Sequence, residues 1–97
     1  MIDPDQEVDR NLQGIEEEKK GNIQAAAGLY LQNVLEGATT PHPYERLSLL
    51  LKRQGRVKEA LSVIELFFKN SNFHSRIADI LIKRRQALLK QRQIPEG

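Results

Sequence analysis

The chain contains no cysteine and no tryptophan, and its aromatic residues are limited to two tyrosines and three phenylalanines. Without thiols there is no disulfide framework, no thiolate nucleophile and no cysteine-based zinc site. A reducing interior is the expected setting, and a disulfide-stapled secreted mini-domain is not. Long apolar runs are missing too, since none approaches the roughly 20 residues needed to span a bilayer. The opening MIDPDQEVDRN is acidic and lacks the apolar centre of a secretory signal. A cytoplasmic protein with no membrane association is expected.

The groupings that support catalysis are also lacking. His42 and His74 lie on connectors far apart in sequence, without an acidic or cysteine cluster at metal-ligand spacing, and read as capping or surface residues. The serines have no positioned base, and no glycine-rich phosphate loop occurs. Glu16–Glu18 reads as a solvated helix face, and Tyr30, Tyr44, Phe67, Phe68 and Phe73 stand at core spacing rather than in a cofactor box. The reading is a non-enzyme without cofactor or metal.

What is present is helical. The chain is 97 residues long, enough for one small domain, and its 29% charged and 39% hydrophobic fractions suit a folded soluble protein. Asp3-Pro4 offers an N-cap and a first helical residue, with Gln6 placed to close a capping box. Val8, Leu12 and Ile15 then form one narrow stripe. Gly21-Asn22 should end that helix and cap the next, whose broad apolar face is Ile23, Ala26, Ala27, Tyr30, Val34 and Leu35. A third helix starts after Thr40-Pro41 or His42-Pro43, carries Tyr44, Leu47, Leu50 and Leu51, and breaks at Gly55. The fourth covers roughly Val57–Lys69, with Val57, Ala60, Leu61, Ile64, Phe67 and Phe68 inward, and is interrupted by Asn70–Asn72. A fifth carries Ile77, Ala78, Leu81 and Leu88, with Ile80 between its faces. Short connectors between five helices predict an all-α stack of antiparallel neighbours.

The chain also repeats itself. KRQGRVKEALSVIELF at Lys52–Phe67 echoes EKKGNIQAAAGLYLQN, with Gly21 and Gly55, Ala26 and Ala60, and Tyr30 and Ile64 each 34 residues apart. Gly14 matches Ser48, small for small. The glycine lets the backbone leave the first helix, the alanine admits close approach, and the bulky residue four positions later fills the core.

Tyr44-x-x-Leu47-Ser48, Leu51, Gly55 and Ala60 at this period resemble the tetratricopeptide repeat family. The resemblance implies one domain over 1–97: a first repeat at 7–40, a second at 41–74 and a capping helix at 75–93. It further implies a right-handed superhelical stack of helix hairpins. Residues 7–40 depart from the family in their first helix, where Arg10, Gln13 and Glu17 occupy its large apolar sites. That helix is therefore expected to pack on another face or against another chain.

In the resembled family the first helix of each repeat lines a concave groove for peptides. Carried over by position, that groove takes Asn11, Leu12, Ile15, Glu18 and Lys19 from helix one. It takes Glu45, Arg46, Leu49, Lys52 and Arg53 from helix three, and Arg76, Asp79, Ile80 and Lys83 from helix five. The terminal carboxylate clamp of some family members is not expected, because Asn11 and Ile15 stand where lysine and asparagine would be needed. A protein or peptide partner with acidic and apolar residues is expected.

Net charge is only +2, but residues 1–20 hold seven acids, whereas 76–93 hold six bases against Asp79 alone. Two alternatives follow. The basic segment Lys83–Arg92 could contact nucleic-acid phosphates, although no interleaved aromatic offers base stacking. The acidic first helix and basic last helix could also meet between copies, giving a homodimer or a self-assembling structural unit.

Overall fold

A computed structural model describes residues 2–70 and 76–93, with side chains through residue 91. The chain is all-α: α1 Pro4–Lys19, α2 Ile23–Leu35, α3 His42–Arg53, α4 Val57–Asn70 and α5 Arg76–Gln93, with no strand among the described residues. Beyond Asn70, the interruption expected before α5 lies outside the described residues, as do Phe73 and His74.

The helix ends follow local chemistry. Asp3 Oδ1 accepts from the Asp5 amide at 2.9 Å, and Pro4 opens α1 where a missing N–H costs nothing. The anticipated partner in that cap is diverted, because the Gln6 side chain accepts from Arg10 instead. At the far end Gly21 adopts φ +79°, and the Asn22 amide reaches back to the Glu17 carbonyl at 2.8 Å. Gly55 at φ +75° repeats this, with the Arg56 amide on the Leu51 carbonyl at 2.9 Å. Both are Schellman ends that need the left-handed conformation glycine adopts freely. Asn22 makes no side-chain cap on α2, contrary to expectation; its Nδ2 donates backwards to Glu17 Oε2 at 2.8 Å. Of the two starts foreseen for α3, helix begins at His42, with Pro41 as N-cap and Pro43 in the first turn.

Side-chain pairings fix the helix directions. Glu7, early in α1, accepts through its carbonyl from Asn33 late in α2 at 2.9 Å, while Glu17, late in α1, meets Asn22 just before α2. Tyr44 at the start of α3 packs edge-on against Phe67 near the end of α4, ring centroids 5.6 Å apart. Each is an antiparallel hairpin, and α2 packs on α3 to join them. Asn11 also reaches Thr40, and Glu18 reaches Arg46, so α1 and α3 run parallel as neighbours. α5 closes the end of the stack against α4 and α3, burying Ala78, Leu81 and Leu88.

The core reproduces the internal echo. Ala26 and Ala60 are both fully buried, as are Tyr30 and Ile64. At Gly14 a Cβ would stand 2.5 Å from Tyr30 Cε1, so only glycine lets α1 come this close to α2. Its counterpart Ser48 is fully buried, with Oγ donating to the Glu45 carbonyl at 3.0 Å.

Three expectations about packing are corrected. Leu35 is 71% exposed, because Val34 takes the inward position at the end of α2. Phe68 lies at the rim, edge-on to Phe67, and Val63 is buried in its stead on the stripe of Ala60, Ile64 and Phe67. His42 is neither cap nor surface residue. Its ring packs edge-on against Tyr30 at 5.4 Å, and its Nε2 is buried without a hydrogen-bond partner.

Candidate interaction face

Helix α1 is the unusual element. It meets α2 through Glu7, Arg10 and Gly14, and these polar or small residues are accommodated by specific bonds. Glu7 is only 2% exposed; its carboxylate accepts from the Thr39 amide at 2.8 Å and the Thr40 amide at 3.3 Å, fastening the α2–α3 connector. Buried Asn33 donates to the Glu7 carbonyl and to Asn11, and accepts from Arg10, which also pairs with Glu36 at 2.9 Å. The helix thus packs on α2 through the stripe that holds Arg10, and the expectation of a different packing face is corrected. Polar residues substitute there for large apolar ones because Gly14 and Asn33 let the helices approach closely enough to bond.

The consequence is an inverted helix. Val8 is 51% exposed and Leu12 58% exposed, with Ile15 half-buried beside them. Asn11, Ile15 and Glu18 follow at i, i+4 and i+7; Asn11 reaches Thr40 just before α3, and Glu18 reaches Arg46 within it. Val8 and Leu12 therefore continue the side of α1 that borders α3.

Ion pairs tie α1, α3 and α5 together along this side. Arg46 of α3 clasps Glu18 of α1, with Nη2 on Oε1 and Nε on Oε2 at 3.1 Å, while Tyr30 Oη donates to Glu18 Oε2 at 2.7 Å. The Arg46 bonds hold the Glu18 carboxyl below its ordinary range, aided by Tyr30 and opposed by partial burial. Burial and the Glu18 charge push the Tyr30 phenol up. The same pairing raises the Arg46 guanidinium. One helix further on, Arg84 of α5 pairs with Glu45 at 3.1 Å and donates to the Glu45 carbonyl at 2.8 Å and to Ser48 Oγ at 2.9 Å.

Of the groove residues expected from sequence, Glu45 and Arg46 are therefore engaged inside the stack. Leu12, Arg53, Arg76, Asp79 and Lys83 are exposed, while Ile15, Leu49 and Lys52 are half-buried. Leu49 follows Glu45 and Arg46 by one turn of α3, and Ile80 precedes Arg84 by one turn of α5, so both border the ties. The exposed flank of α1 carries Asp5, Asp9 and Glu16, whereas the exposed charges of α3 and α5 are mostly basic. Two partners of this side stand outside the expected groove residues: Arg84, and the Tyr30 hydroxyl, whose ring fills the core as its spacing indicates. Arg84 had a readable signal, a charge on the apolar stripe Ile77–Leu81–Leu88.

Arg85 pairs with Glu65 at 2.8 Å, so two α5 arginines are committed to neighbours within the chain. Among the described residues no three or more histidine or carboxylate side chains are grouped to hold a metal ion, and no helix is long and apolar enough to cross a membrane. Compared with family models, curated proteins and solved structures, the chain finds no match in any of the three.

Proposed function

We propose that this protein is a non-catalytic interaction module of tetratricopeptide-like design, in which the α1–α3–α5 side receives a peptide or helix from a protein partner. The observation that carries this reading is the inversion of α1. Its apolar residues Val8 and Leu12 stay in solvent while Glu7, Arg10 and Gly14 are turned toward α2. Exposed apolar side chains among charges are the usual composition of a docking surface. The partner segment would place apolar residues against Val8, Leu12 and Leu49, and carboxylates toward Arg53 and Lys83. Such charge matching sets approach and orientation more than final affinity.

A peptide-display selection tests the reading. Binders enriched in acidic and apolar residues are expected, losing at least about tenfold in affinity against Leu12→Asp and against Arg53→Glu with Leu49→Ala. The helical circular-dichroism signal should persist in each variant. Selected binders that retain full affinity for all of them would refute it.

A further inference from the structure

Buried side-chain nitrogens and oxygens among the described residues have hydrogen-bond partners, with one exception, Nε2 of His42. Leaving such an atom unpaired costs stability, so its place in the fold calls for a physical reason.

His42 is the first residue of α3, and its ring meets the Tyr30 ring edge-on, centroids 5.4 Å apart. The same Tyr30 ring stands against Gly14 of α1 and donates its hydroxyl to Glu18, whose carboxylate Arg46 clasps. Tyr30 is thus the point where α1 and α3 meet through α2, and His42 walls it on the α3 side. Among the described residues, Glu18–Arg46 is the one hydrogen-bonded link between α1 and α3 themselves. Glu7 and Asn11 bond instead to the connector ahead of α3.

The titratable groups around the imidazole are Glu18 from α1, Tyr30 from α2, and Glu45 and Arg46 from its own helix. Neither carboxylate is free to receive an imidazolium. Glu18 is held by Arg46 and Tyr30, and Glu45 by Arg84 of α5. The start of a helix also disfavours a cation. A charged ring must therefore reach water or take a carboxylate from an arginine, and either movement withdraws it from Tyr30.

We propose that His42 is a proton-operated latch: on protonation its ring leaves Tyr30 and releases the Glu18–Arg46 tie that joins α1 to α3. Burial holds the closed imidazole below its ordinary 6.5, so the open arrangement, with the ring in water, takes the proton more readily. The latch is closed above pH 6.5 and opens as pH falls through the value of the closed form. Leu12 and Ile15 lie on α1 and Leu49 on α3, so opening would change the spacing of the proposed groove. That consequence rests on the groove reading, whereas the latch does not.

A nuclear magnetic resonance titration of the whole chain follows both ends of the latch. The His42 ring should titrate with a midpoint below 6.5. Exchange of the Arg46 Nε–H with water, relative to that of exposed Arg53, should rise at least about tenfold across the same midpoint. His74→Asn leaves His42 as the only imidazole and should keep that shared midpoint. His42→Phe retains an aromatic ring but takes no proton, so Arg46 should stay protected down to the range below 4.5 where Glu18 itself titrates. The shared midpoint in His74→Asn decides the matter even if His42→Phe does not fold. An Arg46 Nε–H that stays protected while His42 takes up its proton would overturn the proposal. So would a loss of protection that His42→Phe does not prevent, or a His42 midpoint at or above 6.5.

Discussion

At Gly14 a single hydrogen in place of a methyl group decides how α1 meets α2. Adding a Cβ would place it 2.5 Å from the Tyr30 ring, which is fully buried and bonded to Glu18 through its hydroxyl. The ring has nowhere to move without breaking that bond, so Gly14→Ala should destabilise by about 1–3 kcal/mol despite its better helix propensity. Chemical denaturation would measure it, and an unchanged midpoint would contradict the packing described. His42 sets the pH response. Burial holds its imidazole below the ordinary value of 6.5, with Glu45 and Glu18 opposing and Arg46 assisting that shift. The unfolded chain therefore takes up the proton more readily. The stability this gives is complete above pH 6.5 and is lost as pH falls through the folded value. Glu18, held below 4.5, acts in the same direction at lower pH, its contribution present above 4.5 and lost on further acidification. Melting temperature should thus begin to fall below pH 6.5, and His42→Phe should remove that first decline while keeping the later one.

At the scale of elements, α1 and α3 show how far periodicity can be read. The stripe of α3, Tyr44, Leu47, Leu50 and Leu51, is buried as its spacing indicates, because apolar residues at 3.6-residue period have one favourable place to go. In α1 the same rule points the wrong way. Val8 and Leu12 are outside, since the competing stripe carries Gly14, and close approach plus a satisfied polar network outweighs two partly exposed side chains. Leu12→Asp should accordingly change folding stability by less than about 0.5 kcal/mol, as for an ordinary surface site. Leu81→Ala, at a fully buried position of α5, should cost about 2–5 kcal/mol. Paired denaturation curves decide this, and a large loss from Leu12→Asp would mean that α1 packs otherwise.

Across the whole molecule the hairpins are joined by charge as well as by apolar packing. Glu18–Arg46 links α1 to α3, and Glu45–Arg84 links α3 to α5, each pair drawing on residues far apart in sequence. Both lie partly buried and share hydrogen-bonding neighbours, which favours coupling beyond that of exposed pairs. A double-mutant cycle on Glu18→Gln and Arg46→Met should return a coupling of about 1 kcal/mol. A cycle on the exposed pair Arg56 and Glu59 should return close to zero. Equal couplings for the two would remove the argument that the ties align the helices.

The sequence by itself determined the element order, the helix ends at Gly21 and Gly55, and the matched core positions Ala26/Ala60 and Tyr30/Ile64. Each of these rests on local chemistry or on a period that one chain can carry. Tertiary structure alone decided the charged and neutral surfaces. Three of the residues expected to line a groove, Glu18, Glu45 and Arg46, became ties once α5 brought Arg84 onto Glu45 and α1 brought Glu18 onto Arg46. Whether a charge faces a partner or a neighbour depends on which helix lies beside it, and spacing along one helix does not record that. An open cleft between α2 and α4 exists because both helices pack on α3 rather than on each other. Its one trace in the sequence is the absence of charge from α2, and a missing charge looks the same whether that side of a helix lies in the core or borders an open cleft.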